Sequence, residues 1–334
     1  MNNLLERIKN NYPRLIFTIL IVLAIPLLIW LISRDQTSLT DDTPTPTPTP
    51  PSITNDDIGF NNQTELIRPS SFVTEDPIKT PETMSVYELL PGPDEIFGTT
   101  GIASIASVLE FTAAAEVSPT NDGYYYFQQG KNLTISKNTS TLQYSEQASI
   151  QSPTTSSLPA PQEAIDIARS FVTKIGFNNP LIDWNSSEIQ TYTITSGGPA
   201  PSVGISENGY YSIQLQLKLN ELELIFPQEM YVNIHANGSV IGASLWYPSL
   251  NIESPKTQNI VGFLTALERL EMGDGVYRGD LNQFQNQEVK FNQTEVAYVV
   301  PNQFLHNSTT IRTIVPVYVF SNDSAKIYVS ALPE

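Results

Sequence analysis

The stretch Tyr210–Leu219, YYSIQLQLKL, constrains the chain most: Tyr211, Ile213, Leu215, Leu217 and Leu219 alternate with Ser212, Gln214, Gln216 and Lys218. Strict alternation requires a strand with one buried and one wet face, and such strands belong to antiparallel sheets. The passage MYVNIHANGSVIGASLWY, residues 230–247, reads as two more strands joined at Asn237-Gly238, a favoured hairpin turn. Further strand candidates lie around 288–300, 311–320 and 325–332.

Two helical patterns punctuate these strands. In PQEAIDIARSFVTKIGF, Ala164, Ile165, Ala168, Phe171, Val172 and Ile175 recur at helical spacing, with Pro161 suited to the first turn and Gly176 to the cap. In NIVGFLTALERLEMG, Ile260, Phe263, Leu264, Leu267 and Leu270 form the stripe and Gly273 ends it. The order is helix, strands, helix, strands. It predicts an α+β fold of antiparallel sheets, each with a helix packed on one face, in tandem units over 152–258 and 259–334. Residues 101–151 read as a hairpin-rich segment, with a turn at Asn121-Asp122-Gly123 beside alternating aromatics. The run from Ile102 fits helix or strand, and strand is the reading taken.

The N-terminal third is of another kind. From Leu15 to Ile32 the chain has no charge and only Thr18 is polar, a length of roughly 27 Å as a helix, close to a hydrocarbon core. Pro26 is tolerated in such a span, and Tyr12 and Trp30 fit interfacial anchors. Arg7, Lys9 and Arg14 precede it and Arg34 follows, which predicts a cytoplasmic N-terminus. The organisation expected is a cytoplasmic tail over 1–14, a transmembrane signal anchor through the lipid bilayer over 15–33, and an extracytoplasmic remainder on a single-pass cell-membrane protein. A cleaved signal peptide is the rival reading, but its apolar core is ordinarily shorter.

Residues 34–100 read as an acidic, Thr/Pro-rich disordered stalk. TPTPTPTPP at 43–51 favours polyproline II and spans roughly 28 Å. The patches Phe72-Val73 and Val86-Tyr87 look too short to form a core. The whole chain carries 17 basic and 34 acidic residues. That field repels nucleic acid, which is excluded as a partner.

The helix AIDIARSFVTKIGF, the passage from LNELELIF to YVNIHANGSVIG, and the closing TALERL, EVAYVV and IVPVYVF segments together resemble PepSY-like domains and the related ectodomains of single-pass bacterial membrane regulators. The resemblance covers residues 160–334. It implies a tandem helix-plus-meander fold and an interaction or regulatory role, binding a membrane-protein partner, a peptide or a cell-wall component. The pattern departs at ELELIF, where Glu221 and Glu223 stand in place of a small-residue turn. No functional residues carry over, because the family motif is one of core and turn positions.

Chemistry is sparse. With no cysteine and two histidines, thiolate metal sites, thiol nucleophiles and three-histidine zinc sites cannot be built. No G-x-S-x-G or H-E-x-x-H signature occurs. His235 reads as a solvent-facing strand residue and His306 as part of an Asn-rich loop. Asp274 and Asp280 in GDGVYRGDLN miss the calcium-loop spacing. No catalytic residue, metal or cofactor is expected. The alternative is an envelope glycan hydrolase using paired carboxylates, Glu221 with Glu223 or Glu268 with Glu271. Aromatics near predicted turns supply the candidate ligand contacts, Tyr125, Tyr210, Trp246 and Tyr247. Glycosylation sequons stand at Asn62, Asn132, Asn138, Asn185, Asn237, Asn292, Asn307 and Asn322 and mark surface positions.

Overall fold

A computed structural model describes residues 71–74, 78–112, 116–120, 123–147, 159–195, 198–202, 209–226, 228–279, 288–300 and 313–333. In chain order the elements are β1 (Ser71–Thr74), β2 (Thr83–Leu90), α1 (Asp94–Phe97), α2 (Thr99–Val108), β3 (Glu116–Thr120), β4 (Gly123–Gln128), β5 (Lys131–Ser136) and β6 (Thr141–Glu146). There follow α3 (Pro161–Lys174), β7 (Ile182–Thr195), β8 (Gly198–Pro201), β9 (Gly209–Leu219), β10 (Leu222–Ile225), β11 (Tyr231–His235) and β12 (Val240–Trp246). The last are β13 (Ser249–Leu250), β14 (Lys256–Asn259), α4 (Phe263–Met272), β15 (Gly275–Gly279), β16 (Glu288–Phe291), β17 (Gln293–Val299), β18 (Thr313–Ser321) and β19 (Ala325–Ser330).

The expected α+β class is corrected. Strands hold about 53% of the described residues and helices 18%; most strands join in one large mixed sheet, while β1 and β16 pair parallel in a separate two-stranded sheet. An antiparallel run orders them β3-β4-β5-β6-β12-β11-β9-β7-β8. At its end β9 turns through Asn220-Glu221 into β10, which pairs antiparallel with β9 and parallel with β17, Leu224 opposite Tyr298 and Ile225 opposite Val299. The ladder then continues β17-β18-β19-β15. Two separate helix-on-sheet units therefore do not exist. A parallel pair between residues distant in sequence leaves no periodic trace, which is why alternation alone suggested two sheets.

The turn that divides the ladder was hidden by composition. Asn220 and Glu221 both take positive φ, 52° and 65°, as a two-residue hairpin of the primed type demands. Asparagine tolerates that conformation; glutamate carries a steric cost there. The Asn220 amide donates a close hydrogen bond to the Tyr87 hydroxyl, tying the turn to β2.

Residues read from the sequence as stalk belong to the fold. Val86, Tyr87 and Leu89 of β2 are buried, as is Phe72 of β1, and β2 pairs with β13, β14 and β18. Each apolar patch is short, but each completes a core built elsewhere: Tyr87 meets Tyr298 edge-on, with centroids 5.7 Å apart. The run from Ile102, read as strand, is helix α2, with Ile102, Ile105 and Ala106 buried.

The helix over 161–175 is present as α3, with Pro161 in its first turn and Ala164, Ala168 and Val172 buried. It packs on β7, β9, β11 and β12. Beneath it lie Leu133, Leu142, Ile213, Val232, Ile234 and Leu245, the apolar side of the antiparallel run. The second helix is α4, closed by Gly273 in the left-handed region at φ 92°. Its Arg269 is buried and donates to the carbonyls of Ser330 and Leu332 at 3.0 and 2.7 Å.

Residues 15–33, on which the single-pass cell-membrane placement rests, lie outside the described residues. Among the described residues no helix is long and apolar enough to cross a membrane. The longest, α3, has 14 residues, short of the roughly 20 that a span requires. The described residues thus offer no membrane-spanning helix, and the transmembrane and single-pass assignments are set aside on that finding.

Candidate functional site

The outward side of the antiparallel run is polar and nearly uncharged. Cross-strand register aligns Tyr125, Thr134, Gln143, Ser244, Tyr231, Gln214 and Glu188 in one row from β4 to β7. The neighbouring row is Phe127, Asn132, Ser145, Gly242, Asn233, Ser212 and Gln190. Directly opposed side chains in a sheet touch, so the first row forms a continuous strip and the second is interrupted only at Gly242, which has no side chain. The Tyr125 hydroxyl donates to Asn132 Oδ1 at 2.9 Å, and Gln214 Nε2 donates to Ser212 Oγ at 3.1 Å.

Both rows run into a cleft where β10 leaves β9. It holds about 410 Å³, within the range of small-ligand sites. Gln190, Gln214 and Gln216 line one side, Phe226 with Gln228, Glu229 and Met230 forms a second, and the β18–β19 turn at Asn322–Lys326 closes a third. Gln216 Nε2 reaches Glu188 Oε1 at 3.4 Å. The turn is held by Asn322 Oδ1, which accepts from the backbone N–H of Ser324 and of Ala325, both at 2.9 Å.

The predicted aromatic contacts divide. Tyr125 is exposed and stands in the first row. Tyr210 is buried on the same side, its ring stacked on Tyr192 with centroids 5.2 Å apart, and burial beside that phenol raises its pKa. Trp246 is corrected to a core residue: it is 1% exposed and its ring lies flat on Phe226. Tyr247 is half-buried, edge-on to Phe177 at 5.7 Å.

The carboxylate pairs do not gather at one place. Glu223 lines the cleft, whereas Glu221 sits in the turn before it. Glu268 and Glu271 are exposed on α4. The structure does bring Glu188, Glu223, Glu229 and Asp323 to the cleft from different segments, a convergence no local motif announced. Asp274 donates its backbone N–H to the Arg269 carbonyl at the end of α4. His235 is half-buried, and Asp280 and His306 lie outside the described residues.

A second polar cluster was also missed. A bulge in β7 between Asp183 and Glu188 places Ser186 against Asp183 and Lys218. Lys218 Nζ lies 2.6 Å from Asp183 Oδ2 and 3.2 Å from Ser186 Oγ, and Ser186 Oγ donates to Asp183 Oδ2 at 2.5 Å. Serine beside lysine suggests a nucleophile with its base. Here the Lys218 hydrogen bond, followed by that of Ser186, holds the Asp183 carboxyl down at about 2, and Asp183 in return raises the Lys218 pKa. A lysine kept protonated cannot take the serine proton. The cluster is an ion pair that fastens the bulge.

Among the described residues no group of three or more His, Asp or Glu side chains is placed to hold a metal ion. Comparison of the chain with protein-family models and with curated proteins gives no match.

Proposed function

We propose that the protein is a non-enzymatic interaction module that takes its ligand in the cleft beside β9 and along the polar rows leading from it. The observation that carries this reading is the row from Tyr125 to Gln214, which meets its first carboxylate only at Glu188. On a chain of formal net charge −17, a broad neutral face is where a partner approaches without electrostatic repulsion. Strand addition is disfavoured at both ends of the antiparallel run. Pro119 stands in β3, and Pro199 and Pro201 in β8, and proline on an edge strand blocks pairing. Recognition therefore runs through side chains on the face.

A second reading, glycan hydrolysis, is favoured by the carboxylates that reach the cleft from separate segments, since that chemistry needs two acids facing across the substrate. Affinity electrophoresis of the full chain separates the two readings. Gels carrying a neutral polysaccharide (hydroxyethyl cellulose or dextran), heparin or polylysine are run in parallel, and recovered polymer is sized. Retardation by one polymer without shortening of its chains is the expected result. Shortening that disappears in Glu188→Gln and Glu223→Gln gives the site to the hydrolase reading.

A further inference from the structure

Building on the binding-module reading, we infer that the cleft is a saccharide site for a neutral, hydroxyl-rich sugar unit. A sugar ring has a rim of hydroxyls, each donor and acceptor at once, around a less polar C–H face. The cleft offers the complement of both. The amides of Gln190, Gln214 and Gln216 supply paired donors and acceptors, and Glu188 supplies acceptor oxygens. Phe226 and Met230, both largely buried, line the cleft at the same place and leave it a small apolar surface.

Charge narrows the class further. Carboxylates outnumber the single ammonium of Lys326 in the lining, so an anionic sugar or a phosphate is repelled. A purely cationic ligand would use the carboxylates and leave the amide wall and the apolar crossing without partners. One carboxylate, Glu188, already accepts from the Gln216 amide. A volume of about 410 Å³ fits a ligand of one or two sugar units rather than a folded partner.

The site has a built-in reporter. Phe226 lines the cleft, and the Trp246 ring lies against it with centroids 4.0 Å apart and planes 8° apart. The Trp246 indole N–H is buried with no hydrogen-bond partner among the described residues. Any ligand that shifts Phe226 changes the surroundings of that indole.

The test is a titration of the full chain with cellobiose, maltose and N,N′-diacetylchitobiose, followed by tryptophan emission in a Trp30→Phe, Trp184→Phe double variant, which keeps Trp246 alone, and by calorimetry in parallel. Spermidine and glucuronate serve as cationic and anionic probes. The expected result is saturable binding of one neutral disaccharide and none of glucuronate. Gln214→Ala should then weaken affinity about fivefold, the cost of about one hydrogen bond. Glu188→Gln should weaken it less than about tenfold. Saturation by spermidine alone, abolished by Glu188→Gln, overturns the saccharide inference and leaves the binding module standing. Neutral-sugar binding that neither Gln214→Ala nor Asn322→Ala alters overturns the cleft as its location. No binding of any probe, together with no retardation in the polymer gels, overturns both readings.

Discussion

Trp246 and Phe226 stack face to face, 4.0 Å between ring centroids and 8° between planes, and this contact joins the end of β12 to the crossing that lines the cleft. It carries packing and no hydrogen bond. Trp246→Ala should therefore cost about 3–5 kcal/mol, the range for removing a large buried aromatic. Trp246→Phe should cost under about 1.5 kcal/mol, since a ring remains and no bond to the indole N–H is lost. Urea denaturation of both variants measures the difference.

Glu221 occupies the left-handed region at φ 65°, where a side chain costs about 1–2 kcal/mol. Glu221→Gly should stabilise the protein by about 0.5–1 kcal/mol, the relief exceeding the entropy that glycine adds to the unfolded chain. A rise in melting temperature is the expected observation.

Asp183 has a folded-state pKa lowered from 3.8 to about 2, first by the Lys218 hydrogen bond and then by that of Ser186. Its unfolded state binds the proton more readily, so its contribution is fully present above pH 3.8 and is lost as pH falls through about 2. The stability gap between the parent chain and Asp183→Asn should be widest at pH 5 and close near pH 2. Urea midpoints across that range measure it.

Arg269 is the buried charge of α4, donating to the Ser330 and Leu332 carbonyls at 3.0 and 2.7 Å. Arg269→Met should cost about 2–4 kcal/mol because both carbonyls lose a charged donor. Arg269→Lys should cost less, with one bond kept. Thermal unfolding of the two variants ranks them.

The sequence made the local periods legible: α3, α4 and the alternating strand β9 appear where spacing places them, although Leu264, counted in the apolar stripe of α4, is 70% exposed. It did not make the long-range assembly legible. The pairing of Leu224 with Tyr298 closes across a large sequence separation, and its turn is disguised by glutamate at position 221. Val86 and Tyr87 looked isolated because the residues that bury them come from distant strands. The site followed the same pattern. Tyr125 was visible as an aromatic beside a turn, whereas the amide wall of Gln190, Gln214 and Gln216 exists only once β7 and β9 are in register. Trp246 misled because alternation sends it to the polar side, where Phe226 then covers it.

The most direct test of the central claim, that the cleft beside β9 is where ligand is held, is amide hydrogen exchange of the full chain with and without saturating neutral disaccharide. Slowed exchange confined to peptides containing Gln214–Leu217, Phe226–Met230 and Asn322–Lys326 is the predicted result. Unchanged exchange in those peptides while binding is measured by calorimetry, or protection that maps only to α4, would contradict it.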